Sequence, residues 1–303
     1  MLPDVFSSNS KMENMKLTIG SVQFGLPYGI SNVAGQVSPR EVEKILNVAR
    51  KYNVDMIDTA IAYGDSESVL GLIGVNDFKV ITKLPILPDE SADIIGWVEK
   101  HIEESLIRLN KSSIHGLLVH HAESLEGSDG EKLGFALDKI KCSGLVEKVG
   151  VSIYQPSVLD KIMENSSIDI VQTPFNVVDT SIISSGWLDK LDEAGVEVHV
   201  RSIFMQGLLL MDRNSIPDKF NRWSVLWDQW HEKLNTYDLD ALTECISFVN
   251  SFPKVDRMVV GIESAVQLQQ VLDAIDLRTK PIDWKQMTCN DDMLINPSNW
   301  SQF

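Results

Sequence analysis

Eight short runs rich in β-branched residues recur along this chain, each followed by a stretch of helical period, and that alternation leaves few folds open. The runs are MKLTIGS (15–21), VDMI (54–57), KVITK (79–83), IHGLLVH (114–120), EKVGVS (147–152), IDIVQ (168–172), VEVHVRS (196–202) and RMVVG (257–261). Between them lie amphipathic segments: SPREVEKILNVARKY, with Ser38 as N-cap before Pro39, then WVEKHIEESLIRLN, GFALDKIKCSG, PSVLDKIMEN, ISSGWLDKLDEAG and AVQLQQVLDAI. Gly144 and Gly195 end helices a few residues ahead of a strand, as tight αβ connections require. Repeated βα units make a parallel sheet, and eight of them favour a closed (β/α)8 TIM barrel over a doubly wound sheet. A length of 303 residues suits one such barrel.

Two segments break the rhythm. Residues 203–238 are too long for a simple connection and carry Trp223, Trp227 and Trp230 at helical spacing. Such a stripe is more often a helix packed on the barrel than the wall of a substrate pocket. The tail from Trp284 is irregular and is expected to close over one barrel end. The opening MLPDVFSSNSKMENM has no basic region leading into an apolar stretch, so residues 1–15 read as a flexible tail and 16–303 as a single barrel domain.

Composition narrows the function. With 44% hydrophobic and 23% charged residues the chain has an ordinary globular balance, and its formal net charge of -16 argues against nucleic-acid or membrane-surface partners, both polyanions. The three cysteines, Cys142, Cys245 and Cys289, are far apart and lack C-x-x-C spacing. Neither a disulfide framework nor a zinc site is indicated, and a reducing cytoplasm is the expected location.

In such a barrel the loops leaving the C-terminal strand ends converge on one axis, so the last residue of each strand matters most. Strand two ends in Asp58, three in Lys83, four in His120 and His121, five in Ser152, six in Gln172, seven in Arg201 and Ser202, and eight in Gly261. Tyr63 follows strand two by five residues. A nearby ammonium favours phenolate and lowers a tyrosine pKa, a carboxylate holds that ammonium in place, and a histidine can donate to the oxygen the phenol protonates. Together they form an acid catalyst for a carbonyl. Singly, Asp58 could cap a helix, Tyr63 sit on a rim, Lys83 be a surface charge and His120 or His121 be a core histidine. Since neighbouring strand residues face opposite ways, only one of the two histidines can face the axis, and the apolar run favours His120.

These residues resemble the aldo-keto reductases. IDTAIAYGDSESVLG is similar to that family's D-T-A-x-x-Y-G signature, VITKLP to its lysine strand and LLVHH to its histidine strand. VGVSIY, VQTPFN and RSIFMQGLL resemble its later cofactor segments, IGSVQFGLPYGI its first strand and VVGIESAVQLQQVL its last unit. The resemblance implies reduction of an aldehyde or ketone by a nicotinamide cofactor, with Asp58, Tyr63, Lys83 and His120 as catalytic residues. It also implies that Ser152 and Gln172 hold the carboxamide and that Gln206, Gly207 and Leu208 lie along the pyrophosphate. Gly20, Ser21, Ser202, Gly261, Ser264 and Gln267 would complete the groove. Family habit favours NADPH, but GIESAVQLQQ offers no cation before Arg278, which leaves NADH open.

Two departures stand out. Ile153 replaces the asparagine of G-V-S-N, and Arg201 stands where an aromatic often stacks on the nicotinamide. A guanidinium can stack on the neutral reduced ring but repels the oxidised one, so Arg201 is expected to bias the site toward the reduced cofactor. The expected partner is a small carbonyl compound, with the opening segment pointing to one derived from a sugar, and the expected assembly is a monomer or small homo-oligomer. Two rivals remain: a cofactor-binding regulatory barrel with little turnover, and a barrel lyase forming a Schiff base on Lys83.

Overall fold

A computed structural model describes residues 16–30, 32, 34–88, 93–277, 282 and 284–302. The proposed N-terminal tail, Met15 of the first expected strand, Arg278 and the final Phe303 lie outside the described residues.

Eight parallel strands close into a barrel in sequence order, β1 to β8. They are β1 (Leu17–Gly20), β2 (Met56–Asp58), β3 (Lys79–Leu84), β4 (Ile114–Val119), β5 (Val146–Ser152), β6 (Ile170–Pro174), β7 (Glu197–Arg201) and β8 (Arg257–Gly261). All eight expected strands are present, several shortened at one end. The sixth runs two residues later than its sequence suggests, because Thr173 and Pro174 still pair with Val200 and Arg201.

The helices, in chain order, are α1 (Val22–Gly25), α2 (Pro39–Lys51), α3 (Ser66–Ile73), α4 (Ile94–Leu109), α5 (Gly127–Cys142), α6 (Leu159–Asn165), α7 (Ser181–Ser184), α8 (Trp187–Glu193), α9 (Ser224–Thr236), α10 (Ala241–Asn250), α11 (Ala265–Asp276) and α12 (Asp292–Ile295). Ser38 caps α2 as expected, its hydroxyl accepting from the Glu41 amide. The segment ISSGWLDKLDEAG, read as one helix, is two: Gly186 at φ 76° breaks the ladder between α7 and α8. Helix α3 was not visible as a periodic stripe. It is short and packs on several sides, burying Ser66, Glu67, Val69, Leu70 and Gly71.

Register decides which side chains enter the barrel, because residues paired across parallel strands face the same way. Met56, Ile81, Leu118 and Ile170 form a dry interior plug. The next inward residues up those strands are Asp58, Lys83, His120 and Gln172, so the plug is the floor on which the polar residues stand. The opposite face of the sheet packs on the helices through one continuous apolar cluster.

The tryptophan stripe is a packing element. Trp227 and Trp230 are fully buried with Val177 and Val178 after β6, Met205 and Leu209 after β7, and Trp284 and Trp300 from the tail. Three of these indole N–H groups find a carbonyl: Trp227 donates to Phe220 at 3.0 Å, Trp230 to Leu209 at 3.0 Å and Trp300 to Leu294 at 2.9 Å. Burial of these rings therefore strands no donor. Tail and insertion thus form a second core beside the C-terminal strand ends. Among the described residues no helix is long and apolar enough to cross a membrane.

Candidate active site

The barrel floor carries an ion pair. Lys83 Nζ lies 2.5 Å from Asp58 Oδ1 and donates to the Thr59 carbonyl at 2.8 Å, while the Gln172 amide donates to Asp58 Oδ2 at 2.8 Å. Lys83 is 1% exposed and Asp58 3%, which removes the surface-charge and helix-capping readings. Burial pulls the Lys83 pKa down from its ordinary value, and the Asp58 carboxylate pulls it back up. Gln172 is not aimed at open space, as expected for a carboxamide ligand; its amide is committed to holding Asp58.

Tyr63 and His120 stand over this pair. The Lys83 ammonium is 5.2 Å from the centre of the Tyr63 ring, and the Tyr63 and His120 rings meet edge to face at 5.8 Å. His121 is exposed and lies on the far side of His120, its ring 5.3 Å away. The tyrosine is fixed by its backbone. A Cβ on Gly25 would stand 1.8 Å from the Tyr63 carbonyl oxygen and one on Gly64, at φ 53°, 2.5 Å from the Gly25 carbonyl. Two glycines thus let α1 press directly on the turn that carries Tyr63.

The electrostatics differ from the sequence expectation at one point. Burial, then the Asp58 carboxylate, push the Tyr63 phenol above its ordinary value, and the charge that opposes them is that of Arg201. Burial first, then Lys83, His121 and Arg201, drive the His120 pKa down to about 3, so its imidazole is neutral across the physiological range.

The other expected groove residues divide into two groups. Ser152 is buried with inward parity, and its hydroxyl has no hydrogen-bond partner among the described residues. Gly20 and Gly261 are paired across β1 and β8, where a Cβ on Gly20 would meet the Gly261 amide nitrogen at 3.1 Å. Gln23 presses on Gly261 with a buried, unpartnered Oε1. Open polar atoms beside bare backbone suit a nicotinamide dinucleotide. Gln206 leaves the seventh strand through a strained loop: Ser202, Met205 and Gln206 take φ of 58°, 48° and 55°, and Gly207 follows at 92°. Such clustering of left-handed residues marks loops held for function.

The remaining expected groove residues make contacts within the fold. The Ser21 hydroxyl donates to the Asp58 carbonyl at 2.9 Å and is 0% exposed, so this side chain braces the strand end. The Leu208 side chain is in the second core, because the short helical turn after Gly207 points it toward the tryptophans. Ser264 and Gln267 cap α11: the Ser264 hydroxyl accepts from the Gln267 amide at 3.1 Å, and Gln267 Oε1 accepts from the Glu263 amide at 2.6 Å.

The sequence matches the Aldo/keto reductase family over residues 16–290. The chain belongs to the aldo/keto reductase family. It is 27% identical over 202 residues to the 6-dehydroglucose reductase of Agrobacterium fabrum, a match covering 60% of this chain and 66% of that relative, less than two thirds of its length. In structure it is similar to a holo-form aldo-keto reductase from Bacillus halodurans, with a TM-score of 0.71, 18% identity and coverage of 90% of this chain and 89% of the other. A glycerol dehydrogenase from Gluconobacter oxydans gives 0.69 at 19% identity, covering 90% of each chain. The family is one of oxidoreductases that generally use nicotinamide cofactors.

Within this aldo/keto reductase several residues at the mouth, among them Tyr28 and Tyr154, are not marked by any motif. Tyr28 accepts from Gln206 Nε2 at 3.0 Å across the groove, and its phenol is pushed up to about 12 by burial and by the neighbouring Tyr154 and Tyr63. The Tyr154 ring carries the Arg201 guanidinium at 4.3 Å. Arg201 also donates to the Ile153 carbonyl at 3.0 Å, so both departures from the family pattern meet in one contact. A cleft of about 560 Å³ at the opposite barrel end holds Asp55, Lys79, His115, Glu147, Lys148 and Arg257. Its charges are already cross-paired, with Arg257 to Asp55 at 2.7 Å and Lys79 to Asp55 at 3.4 Å, which suits a stabilising ring.

Proposed function

We propose that this reductase converts an aldehyde or ketone to an alcohol, with Tyr63 as the general acid. A bound reduced nicotinamide supplies the hydride. The neutral His120 imidazole donates a hydrogen bond to the carbonyl oxygen, and Tyr63 delivers the proton to that oxygen as negative charge develops on it. Lys83, anchored by Asp58 and Thr59, supplies a fixed donor beside the phenol to stabilise the tyrosinate left behind. Asp58, locked by Gln172, keeps the lysine charged. Ser152, Gly20, Gly261, Arg201, Ser202, Gln206 and Gly207 form the walls that hold the cofactor.

The observation that carries this reading is the meeting of Tyr63 with both the Lys83 ammonium, at 5.2 Å, and the His120 ring, at 5.8 Å. The Schiff-base alternative is weakened by the same geometry, since Lys83 Nζ is tied to both Asp58 and the Thr59 carbonyl and is not free to reach a substrate carbonyl. The complete set of four residues likewise weighs against a regulatory barrel. The names of the similar proteins, a 6-dehydroglucose reductase and a glycerol dehydrogenase, support a sugar-derived or polyol-related carbonyl. For the cofactor, family habit favours NADPH, while the carboxylate of Glu41 in α2, which accepts from the Ala265 amide at the start of α11, favours NADH. The cytoplasm is the location this reading implies.

Substituting Tyr63→Phe tests it. Carbonyl reduction, followed by nicotinamide absorbance near ~340 nm, is expected to fall by about a hundredfold or more, while cofactor affinity stays nearly the same. Retention of most of the rate would remove Tyr63 from the mechanism. A borohydride-trapped adduct on Lys83 would turn the assignment to the lyase.

A further inference from the structure

We infer that Arg201 is an anion-recognition residue and that the enzyme prefers carbonyl substrates bearing a carboxylate or phosphate over their neutral counterparts. This rests on the carbonyl-reduction reading above and adds the substrate class.

Arg201 is the top inward residue of β7, paired with Pro174 and one inward step above His199, whose register partner is Gln172. It therefore stands over the floor that holds Asp58 and Lys83. Its partners are all uncharged: the Ile153 carbonyl at 3.0 Å, the Ser202 hydroxyl at 3.4 Å and the Tyr154 ring at 4.3 Å. Among the described residues no carboxylate pairs with it. Asp58 is neutralised by Lys83 at 2.5 Å. Asp179 is within electrostatic range, but it is 1% exposed, accepts from the Ser181 amide at 3.1 Å, and burial raises its pKa.

The result is a half-buried cation with spare N–H donors, its plane fixed by stacking on an aromatic ring. The guanidinium has five donors, and only two are taken up. Its charge is felt by both groups at the reacting end, Tyr63 and His120. Asp58 and Lys83 are bonded to each other at 2.5 Å, whereas the Arg201 guanidinium has no carboxylate partner among the described residues. In a chain of net charge -16 such a local positive site does not arise from the general surface. A pre-oriented planar fork is the geometry that binds carboxylate or phosphate through paired hydrogen bonds.

The test uses matched substrates: butanal against succinic semialdehyde for the carboxylate, and glyceraldehyde against glyceraldehyde 3-phosphate for the phosphate. In the wild type the anionic member of at least one pair should have the higher kcat/KM, through KM, and the advantage should shrink as salt is raised. In Arg201→Gln the anionic-to-neutral ratio should drop by about tenfold or more. Arg201→Lys, which keeps the charge without the fork, should fall between. A ratio unaltered by Arg201→Gln, an equal loss for both members, or no anionic preference in the wild type would overturn the proposal. Calorimetry with 4-hydroxybutyrate and 1-butanol reads the anion contact without turnover: tenfold weaker binding of the acid to Arg201→Gln supports it, and equal binding refutes it. Absence of cofactor oxidation with every carbonyl, together with intact anion binding, would instead sink the reductase reading alone.

Discussion

The Gly25 α-carbon faces the Tyr63 carbonyl so closely that a methyl group there would sit 1.8 Å from the oxygen. The contact also brings that methyl within 2.5 Å of the Ser66 amide nitrogen, so backbone must move and no side chain can yield. Because the Tyr63 phenol has to stand beside Lys83 and His120, displacing its turn separates the proton donor from its partners. Gly25→Ala is expected to lower kcat/KM by about a hundredfold, the cost of a displacement near 1 Å at a reacting group. Cofactor binding should change far less. Near-normal turnover in a folded Gly25→Ala protein would show that the turn is not what places the phenol.

The Asp58–Lys83 pair is buried, so its members should be interdependent in stability as well as in catalysis. Lys83→Met leaves the Asp58 carboxylate facing the apolar floor with only the Gln172 amide, and loss of one partner of a buried pair costs about 3–5 kcal/mol. Asp58→Asn with Lys83→Met removes both charges and should recover most of that loss while remaining inactive. Chemical denaturation of the two single variants and the double variant closes the cycle. Additive losses would mean the pair is not coupled.

How far these features were legible in the sequence follows from the kind of contact involved. Asp58, Lys83 and His120 end strands whose apolar runs fix their parity, so a period of two was enough to bring them to one rim. Tyr63 came with them because its signature is local. The support for Tyr63 was not legible: Gly25 lies far from it in sequence, and QFG has no periodic meaning. The bonding of the Ser21 hydroxyl to the Asp58 carbonyl and the packing of the Leu208 side chain in the second core were not legible, because strand-end position alone does not say whether a hydroxyl is already bonded or where a turn points. The break at Gly186 and the short helix α3 escaped for a similar reason, since neither carries a clean stripe of period 3.6. The stacking of Arg201 on Tyr154 needed the strand order, which sets β5 and β7 on either side of β6.

The pH dependence follows from Tyr63 and His120. A phenol raised above its ordinary value stays protonated through pH 9, and a histidine with a pKa of about 3 stays neutral above pH 5. Reduction measured as kcat/KM should therefore be nearly flat from about pH 6 to 9. Stability should not be. The folded-state pKa of His120 lies below its ordinary 6.5, so between these values the unfolded chain binds more protons and stability is lost as pH falls from 6.5 toward 3. Comparing Tm against pH for the wild type and His120→Asn isolates this contribution. The variant should lose less stability over that acid interval, and parallel curves would count against a neutral buried histidine.

Glu41 bears on the choice of cofactor. Its Oε1 accepts from the Ala265 amide at 3.0 Å in the first turn of α11, and its Oε2 lies 2.7 Å from Lys44. Both contacts hold the carboxylate below its ordinary pKa, so it is charged at neutral pH. The start of this helix follows strand eight, where NADPH-selective members of the family offer a cation to the 2′-phosphate. Here the helix's positive end is already occupied by a negative group, and a phosphate approaching it meets repulsion. NADH is therefore expected to serve at least as well as NADPH. Glu41→Gln should raise the NADPH-to-NADH ratio of kcat/KM by about three- to tenfold, within the range of one charge at a helix terminus. Fluorescence titration of each reduced cofactor should show the same shift in affinity. A ratio that does not move in either measurement would confine Glu41 to capping α11.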